Sequence, residues 1–136
     1  MKFVTYIIGF VALLVLGFAL FVRVAPSDPA RWHQPVQATS DVDLTGGAIR
    51  VRAVEPEALA QIDAKARDLP RTRVIAGSVE EGRITYITRS ALWGFPDYTT
   101  VEYSDGMLRA HARLRFGRSD LGVNARRLDT LLRAIE

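Results

Sequence analysis

The chain has 136 residues, a formal net charge of +3 and no cysteine. The missing cysteine excludes disulfides, thiolate nucleophiles and zinc–sulfur sites. Outside Lys2 and Arg23, which flank an apolar segment, 18 − 2 = 16 basic residues stand against 15 acidic ones. The rest of the chain is therefore nearly neutral, has no nucleic-acid motif, and is not predicted to bind nucleic acid.

The segment from Phe3 to Val22 contains no charged residue. As a helix it is long enough to cross a hydrocarbon core of about 30 Å. A secretory signal peptide is the main alternative, although its apolar region is usually only ~7–15 residues long and ends in small residues. We therefore predict an uncleaved transmembrane anchor over residues 1–24. Roughly 110 residues remain, which is enough for one small domain.

The membrane orientation rests on the short N-terminal tail, which resembles that of a signal anchor and leaves the N-terminus in the cytoplasm. Basic residues decide little, because Lys2 stands on one side and Arg23 and Arg31 on the other. In a bacterium, this predicts a single-pass protein of the inner membrane with a periplasmic C-terminal domain.

Four residues are candidate contacts with the bilayer or with a membrane partner. Gly9 and Gly17 share one side of the apolar helix, and small residues let helices approach closely in lipid, although glycine is also simply common in such helices. Trp32 lies in a proline-rich connector, residues 25–45, which is predicted to be extended over Ala25–Ser40 and to hold this indole near the membrane surface. Trp93 lies in a loop that either lines a cleft, inserts into the interface or plugs the core.

Residues 46–136 are predicted to form one small α+β domain. Alternating side chains predict five strands, over 47–54, 72–79, 83–90, 98–103 and 107–116. Apolar stripes predict one helix that begins at Pro56 and a last helix over Ala125–Ile135. The order β-α-β-β-β-β-α predicts an antiparallel sheet with both helices on one face and with the other face polar or partly covered by the connector.

An arginine-rich sheet face is the first candidate binding site. Arg50 and Arg52 lie on the first predicted strand, and Arg109, Arg113 and Arg115 lie on the last. If they share the open side of the sheet, their guanidinium groups suit carboxylates or phosphates, such as an anionic lipid headgroup. The alternative is a solvated face whose arginines pair with nearby acids.

The loop before the last helix is the second candidate site for an anion. It contains Arg118, Ser119 and Asp120, and Asn124 is the predicted N-cap. Backbone N–H groups at a helix N-terminus favour an anion. It is not a Walker loop, because Val123 stands where that motif has lysine. The alternative is a structural loop whose polar side chains bond to the backbone.

The sequence offers little for catalysis. His33 and His111 are its only histidines, and they lack metal-ligand spacing, so neither a metal nor a cofactor is predicted. His33 is interpreted as a linker residue, and neighbouring arginines are predicted to lower the pKa of His111. A carboxylate pair of Asp97 and Asp120 stays open as the basis of a hydrolase, the least favoured function.

Three motifs resemble the uncharacterised bacterial family called domain of unknown function 1499. They are the Arg31–His33 connector, the Gly94–Tyr98 loop, and the Arg115–Asn124 segment followed by Arg127. The resemblance covers Arg31 to Ile135. It implies a small envelope-associated domain and assigns no activity.

The leading functional hypothesis is a non-enzymatic accessory or assembly subunit of an inner-membrane protein complex. The single anchor and the small domain favour it. The alternative is an envelope module that binds anionic lipid headgroups, or another anionic ligand, through the arginine-rich sheet face and the loop before the last helix.

Overall fold

The computed structural model describes residues 1–136. Its first element, α1 (Lys2–Val24), extends slightly beyond the apolar run at both ends, and Val22 is its only buried residue. The helix is therefore not part of a protein core. It is long and apolar enough to cross a membrane, a property that a signal sequence shares.

A four-residue helix, α2 (Pro29–Trp32), interrupts the connector. An Asp28 carboxylate oxygen accepts a hydrogen bond from the Ala30 N–H at 2.9 Å, and proline at the first helical position has a φ that suits a helix. The prediction of a wholly extended connector is wrong here. The Asp-Pro pair is the sequence signal that marks this turn.

Six antiparallel strands form one open sheet in the order β1-β2-β6-β5-β4-β3. Five correspond to predicted strands, whereas the sixth, β1, falls within residues 25–45 and was not predicted. The strands are β1 (Val42–Leu44), β2 (Gly47–Ala53), β3 (Thr72–Ser78), β4 (Arg83–Arg89), β5 (Pro96–Ser104) and β6 (Met107–Leu114).

Two longer helices pack on one face of this sheet, which confirms the predicted α+β architecture. They are α3 (Ala58–Arg67) and α4 (Val123–Leu132), and a 3₁₀ turn follows at Arg133–Ile135. Their apolar stripes share a core with the inward side chains of β2, β4, β5 and β6. Ile62 and Leu128 are almost fully buried there, each stabilising the fold by roughly 1.5–3 kcal/mol relative to an exposed position.

The connector covers the opposite face of the sheet. The Trp32 ring stacks on Tyr98 with centroids 3.9 Å apart and planes 15° apart, and the Arg31 guanidinium lies 4.7 Å from the indole centroid. Trp32 is only 8% exposed. Partial cover by the connector is thus confirmed, but Trp32 contacts the sheet rather than the membrane surface for which it was predicted.

Candidate functional site

One end of the sheet rests against the last turns of α1, and we call it the helix-proximal end. The Phe18 ring lies 6.2 Å from the rings of both Phe95 and Phe116, and the Phe21 ring lies 6.0 Å from that of Phe116. These centroid distances are typical of aromatic packing. The loops after β4 and β6 therefore contact the helix directly.

Two arginines bond α1 to the loop after β4 across this contact. Arg23 donates a hydrogen bond to the Leu92 carbonyl at 2.8 Å. Arg89 donates to the Val22 carbonyl at 3.1 Å and to the Gly94 carbonyl at 2.9 Å. Because carbonyls near the end of a helix lack intrahelical partners, the Arg89 guanidinium also stabilises the end of α1.

An open groove of about 440 Å³, which we call the arginine groove, lies beside these bonds. Four arginines line it together with hydroxyl-bearing and small residues, and no acidic residue does so; the arginines are Arg23, Arg71, Arg73 and Arg89. None of the four belongs to an ion pair. Burial lowers the pKa of Arg89, and the nearby charges of Arg73 and Arg23 lower it further. Positive charge is therefore crowded and uncompensated here.

A second groove of about 450 Å³, the apolar groove, lies further along α1. Leu14, Val15 and Phe18 form its wall on the helix, and Trp93 and Phe95 form its wall on the loop. Trp93 is 44% exposed. Trp93, a candidate contact residue, is thus accessible to molecules that pack beside α1.

The predicted arginine-rich sheet face is not one face. In the β2–β6 register Arg50 lies opposite Ala110 and Arg52 opposite Leu108, so both point towards the helices, whereas Arg113 points the other way. The prediction of one shared arginine face is therefore wrong.

The inward arginines are neutralised by aspartates that the sequence did not connect with them. Arg50 pairs with Asp129 of α4 at 2.9 Å and with Asp43 of β1 at 2.8 Å. Arg52 pairs with Asp41 at 2.8 Å. These arginines hold β1 and α4 to the sheet, and no free cationic surface results.

The outward arginines hold the connector. Arg113 donates to the Thr100 hydroxyl at 2.9 Å and to the Trp32 carbonyl. Burial lowers its pKa to about 10, so it stays charged at neutral pH. Arg115 donates to the Pro26 carbonyl at 2.8 Å. Both predicted anion ligands are thus engaged with the chain itself.

The loop before α4 is built around Asp120. Its carboxylate accepts hydrogen bonds from the Gly122 N–H at 2.9 Å and the Asn124 N–H at 3.1 Å. Burial opposes ionisation of Asp120, but the Asn124 side chain and these backbone bonds hold its pKa below the usual range. Ser119 accepts a bond from the Leu121 N–H at 3.3 Å, and Arg118 is exposed. The side chains that were predicted to bind an anion mostly organise the loop.

Asn124 is not the N-cap, which is Gly122. The prediction is wrong because Asp120 already serves the backbone N–H groups of the first turn. Asn124 is instead fully buried. Its amide donates to Asp97 at 3.3 Å and accepts a bond from Arg127.

Arg127 completes this cluster, which sequence reasoning did not assemble. It contacts the Asp97 carboxylate at 3.3 Å, with side chains 13% and 17% exposed. Burial raises the pKa of Asp97, Arg127 and Asn124 oppose that rise, and the Asp120 charge adds to it. The three-residue spacing of Asn124 and Arg127, which places them on one side of a helix, is the usable signal. Asp97 and Asp120 are thus neighbours, but each is bonded elsewhere.

The two histidines lie on the face of the sheet that the connector covers, and His33 belongs to the connector itself. His33 makes a 2.8 Å hydrogen bond with the Thr85 hydroxyl. Burial, and secondarily Arg113, lowers the pKa of His111 to about 4. The predicted decrease is confirmed, with burial as its larger cause. No cluster of three or more His, Asp or Glu side chains is placed to hold a metal ion.

A family model described as "Protein of unknown function (DUF1499)" matches residues 22–135, which is 135 − 22 + 1 = 114 of the 136 residues. The chain belongs to this family. The resemblance in the connector and loop motifs is thereby confirmed. The DUF1499 match includes all four arginines of the arginine groove and omits most of α1. No curated protein matches the sequence.

Proposed function

We propose that this DUF1499 protein is a non-enzymatic, single-pass protein of the bacterial inner membrane. In this proposal, its periplasmic domain works as an accessory or assembly subunit of an integral-membrane complex. The observation that carries it is the mounting of the domain on α1. Arg23 and Arg89 bond the helix to the domain, and Phe18 and Phe21 pack against it.

This mounting favours a partner in the membrane over a ligand in solution. A domain that captures a soluble ligand needs only a flexible tether. Here the connector is bonded to the sheet by Arg113 and Arg115. A membrane protein that binds α1 would therefore fix the height of the whole domain above the membrane and its rotation about the helix axis.

The exposed side of α1 offers a surface for such a neighbour. At both Gly9 and Gly17 an added Cβ would meet no atom of the chain within 4 Å. A second helix can approach closely at such positions, and in lipid close packing stabilises association. These residues remain our candidates for partner contact.

The proposal is tested by native mass spectrometry of the tagged full-length protein, gently extracted from its own membrane. We expect an intact mass that retains residues 1–24 and a second polypeptide at fixed stoichiometry. Gly9→Leu combined with Gly17→Leu should remove that polypeptide, whereas Val11→Leu, roughly 160° from Gly9 and roughly 120° from Gly17 around the helix, should keep it.

Two results would contradict the proposal. An intact mass that corresponds to a chain lacking residues 1–24 would show that α1 is a cleaved signal peptide. An intact chain that never carries a second polypeptide, even after cross-linking in the membrane, would remove the accessory role.

Anionic lipid binding is the second candidate function. The arginine groove favours it, because four arginines without a carboxylate line it at the end of α1. The predicted route through Arg113 and Arg115 is not retained, since both guanidinium groups bond the connector. A hydrolase based on Asp97 and Asp120 is not proposed, because both carboxylates are engaged.

A further inference from the structure

Charge is distributed unevenly between the two ends of the domain. The turns furthest from α1 are β2–α3, β3–β4 and β5–β6, and their charged residues are all acidic: Glu55, Glu57, Glu80, Glu81 and Asp105. The helix-proximal end has the arginine groove. Anionic lipids attract basic residues at a membrane surface, with a contribution near 1 kcal/mol per residue. The contrast between these turns and the arginine groove favours an orientation in which the arginine groove faces an anionic bilayer.

The arginine groove has the chemistry of a phosphate site. Guanidinium groups bind phosphate oxygens through paired, charge-assisted hydrogen bonds. The Arg73 side chain makes no hydrogen bond within the chain, and the Arg71 side chain makes only one, to the Arg89 carbonyl at 2.9 Å. Both are exposed, so their remaining donors face the groove. The Ser90 hydroxyl, which accepts a hydrogen bond from the Phe95 N–H at 2.9 Å, keeps its own O–H as a further donor at the wall.

The apolar groove lies at the depth expected of an acyl chain. Phe18 precedes Arg23 by five residues and Leu14 precedes it by nine. At 1.5 Å per residue these side chains lie roughly 8 and 14 Å deeper along α1. Leu92 and Trp93, on the loop between the two grooves, are exposed, and Trp favours the boundary between headgroups and hydrocarbon.

We propose that the arginine groove binds the phosphate of one anionic phospholipid, whose acyl chain lies in the apolar groove between α1 and Trp93. This inference deepens the second candidate function, anionic lipid binding at the arginine groove, and rests on it and on the premise that α1 spans the membrane. It needs no protein partner. An acidic peptide fits less well, because it would occupy the arginine groove alone and leave the adjoining apolar groove without a ligand.

Trp93 is a built-in reporter for the test. The full-length chain, with Trp32→Phe to leave Trp93 as its only tryptophan, is reconstituted in phosphatidylcholine vesicles. A minor fraction of the lipid carries brominated acyl chains on either phosphatidylglycerol or phosphatidylcholine. We expect brominated phosphatidylglycerol to quench Trp93 more strongly at the same mole fraction. If the Trp32 variant does not fold, the difference between the parent chain and Trp93→Phe gives the same signal.

Two matched variants locate the site. Arg71→Gln with Arg73→Gln should lower the apparent affinity for phosphatidylglycerol about thirtyfold and abolish the preference. Lys65→Gln with Arg133→Gln removes the same charge from two exposed residues that are in no ion pair and do not line the arginine groove, and should retain the preference. Equal quenching by both lipids in the parent chain would overturn the inference, as would equal losses in the two variants.

Free phosphate is distinguished from lipid by competition. Inorganic phosphate, added against chloride at matched ionic strength, should leave the quenching preference unchanged. If it removes the preference, and native mass spectrometry finds no retained phospholipid, the groove is a site for soluble anions and the lipid proposal fails. Because these vesicles contain no partner protein, the outcome is independent of the accessory-subunit test.

Discussion

Replacing Trp32 by alanine should release the connector from the sheet. The indole is 8% exposed and stacks on Tyr98, which is fully buried. Truncation of a buried aromatic residue costs about 3–5 kcal/mol. We expect the lower end, about 3 kcal/mol, because the connector supplies cover on one side only. The Trp32 carbonyl, which Arg113 bonds, would also lose its fixed position.

Trp93→Ala is the matched control. It removes the same side chain from a position that is 44% exposed, and its cost should stay below about 1 kcal/mol. Thermal unfolding of the full-length chain in mild detergent measures both. For a domain of this size, a 3 kcal/mol loss lowers the unfolding midpoint by roughly 10 °C.

Limited trypsin digestion provides an independent measurement. Arg31 is adjacent to Trp32, and cleavage there requires the connector to leave the sheet, so the rate follows the population of the open form. Cleavage at Arg31 should accelerate strongly in Trp32→Ala and little in Trp93→Ala. Equal midpoints and equal cleavage rates in the two variants would refute the docked connector.

Three further predictions concern pH, backbone space and capping. The folded-state pKa of His111, about 4, lies below its usual 6.5, so the folded state binds fewer protons and stability should fall as pH drops from 6.5 to 4. The loss is about 2 kcal/mol after allowance for partial exposure, and His111→Gln should flatten the pH profile of unfolding. Gly77→Ala should cost at least about 3 kcal/mol, because its Cβ would lie 2.0 Å from the Arg83 carbonyl at a φ of +82°; Gly106→Ala, at a φ of +73° in open space, should cost about 1 kcal/mol in the same unfolding assay. Asp120→Ala should cost about 1 kcal/mol in urea unfolding by removing its bonds to the first turn of α4, whereas the exposed Ser119→Ala should change stability by less than about 0.5 kcal/mol.

Local periodicity was sufficient for most of the fold. The alternation in Met107–Phe116 and the apolar stripe of the last helix each predict an element by their own residues. Local periodicity could not predict which side of β2 faces the helices. Arg50 was a candidate for the open side of the sheet, but it faces the helices. Its charge is tolerated there because α4 and β1 bring carboxylates to it, a contact between distant segments.

The candidate site was harder to predict for the same reason. The arginine groove combines a residue at the end of α1 with residues before, within and at the end of different strands. No spacing in the sequence joins Arg23 to Arg71, Arg73 and Arg89. Trp32 was placed at the membrane because a tryptophan after an apolar helix is common there. Only the folded sheet presents the Tyr98 ring that holds it.

The docked connector also limits how far the domain can travel. As a free coil, the 17 residues from Ala25 to Asp41 would have a root-mean-square end-to-end distance of roughly 23 Å. Because these residues are hydrogen-bonded across the sheet, the connector does not act as a flexible tether of that length. With α1 in a membrane, as proposed, the encounters of the domain are confined to a thin layer at a fixed height above the bilayer, which the domain reaches by lateral diffusion. Partners outside this layer cannot contact the domain. The rate at which it meets a partner is therefore set by the number of partner molecules per unit area of membrane.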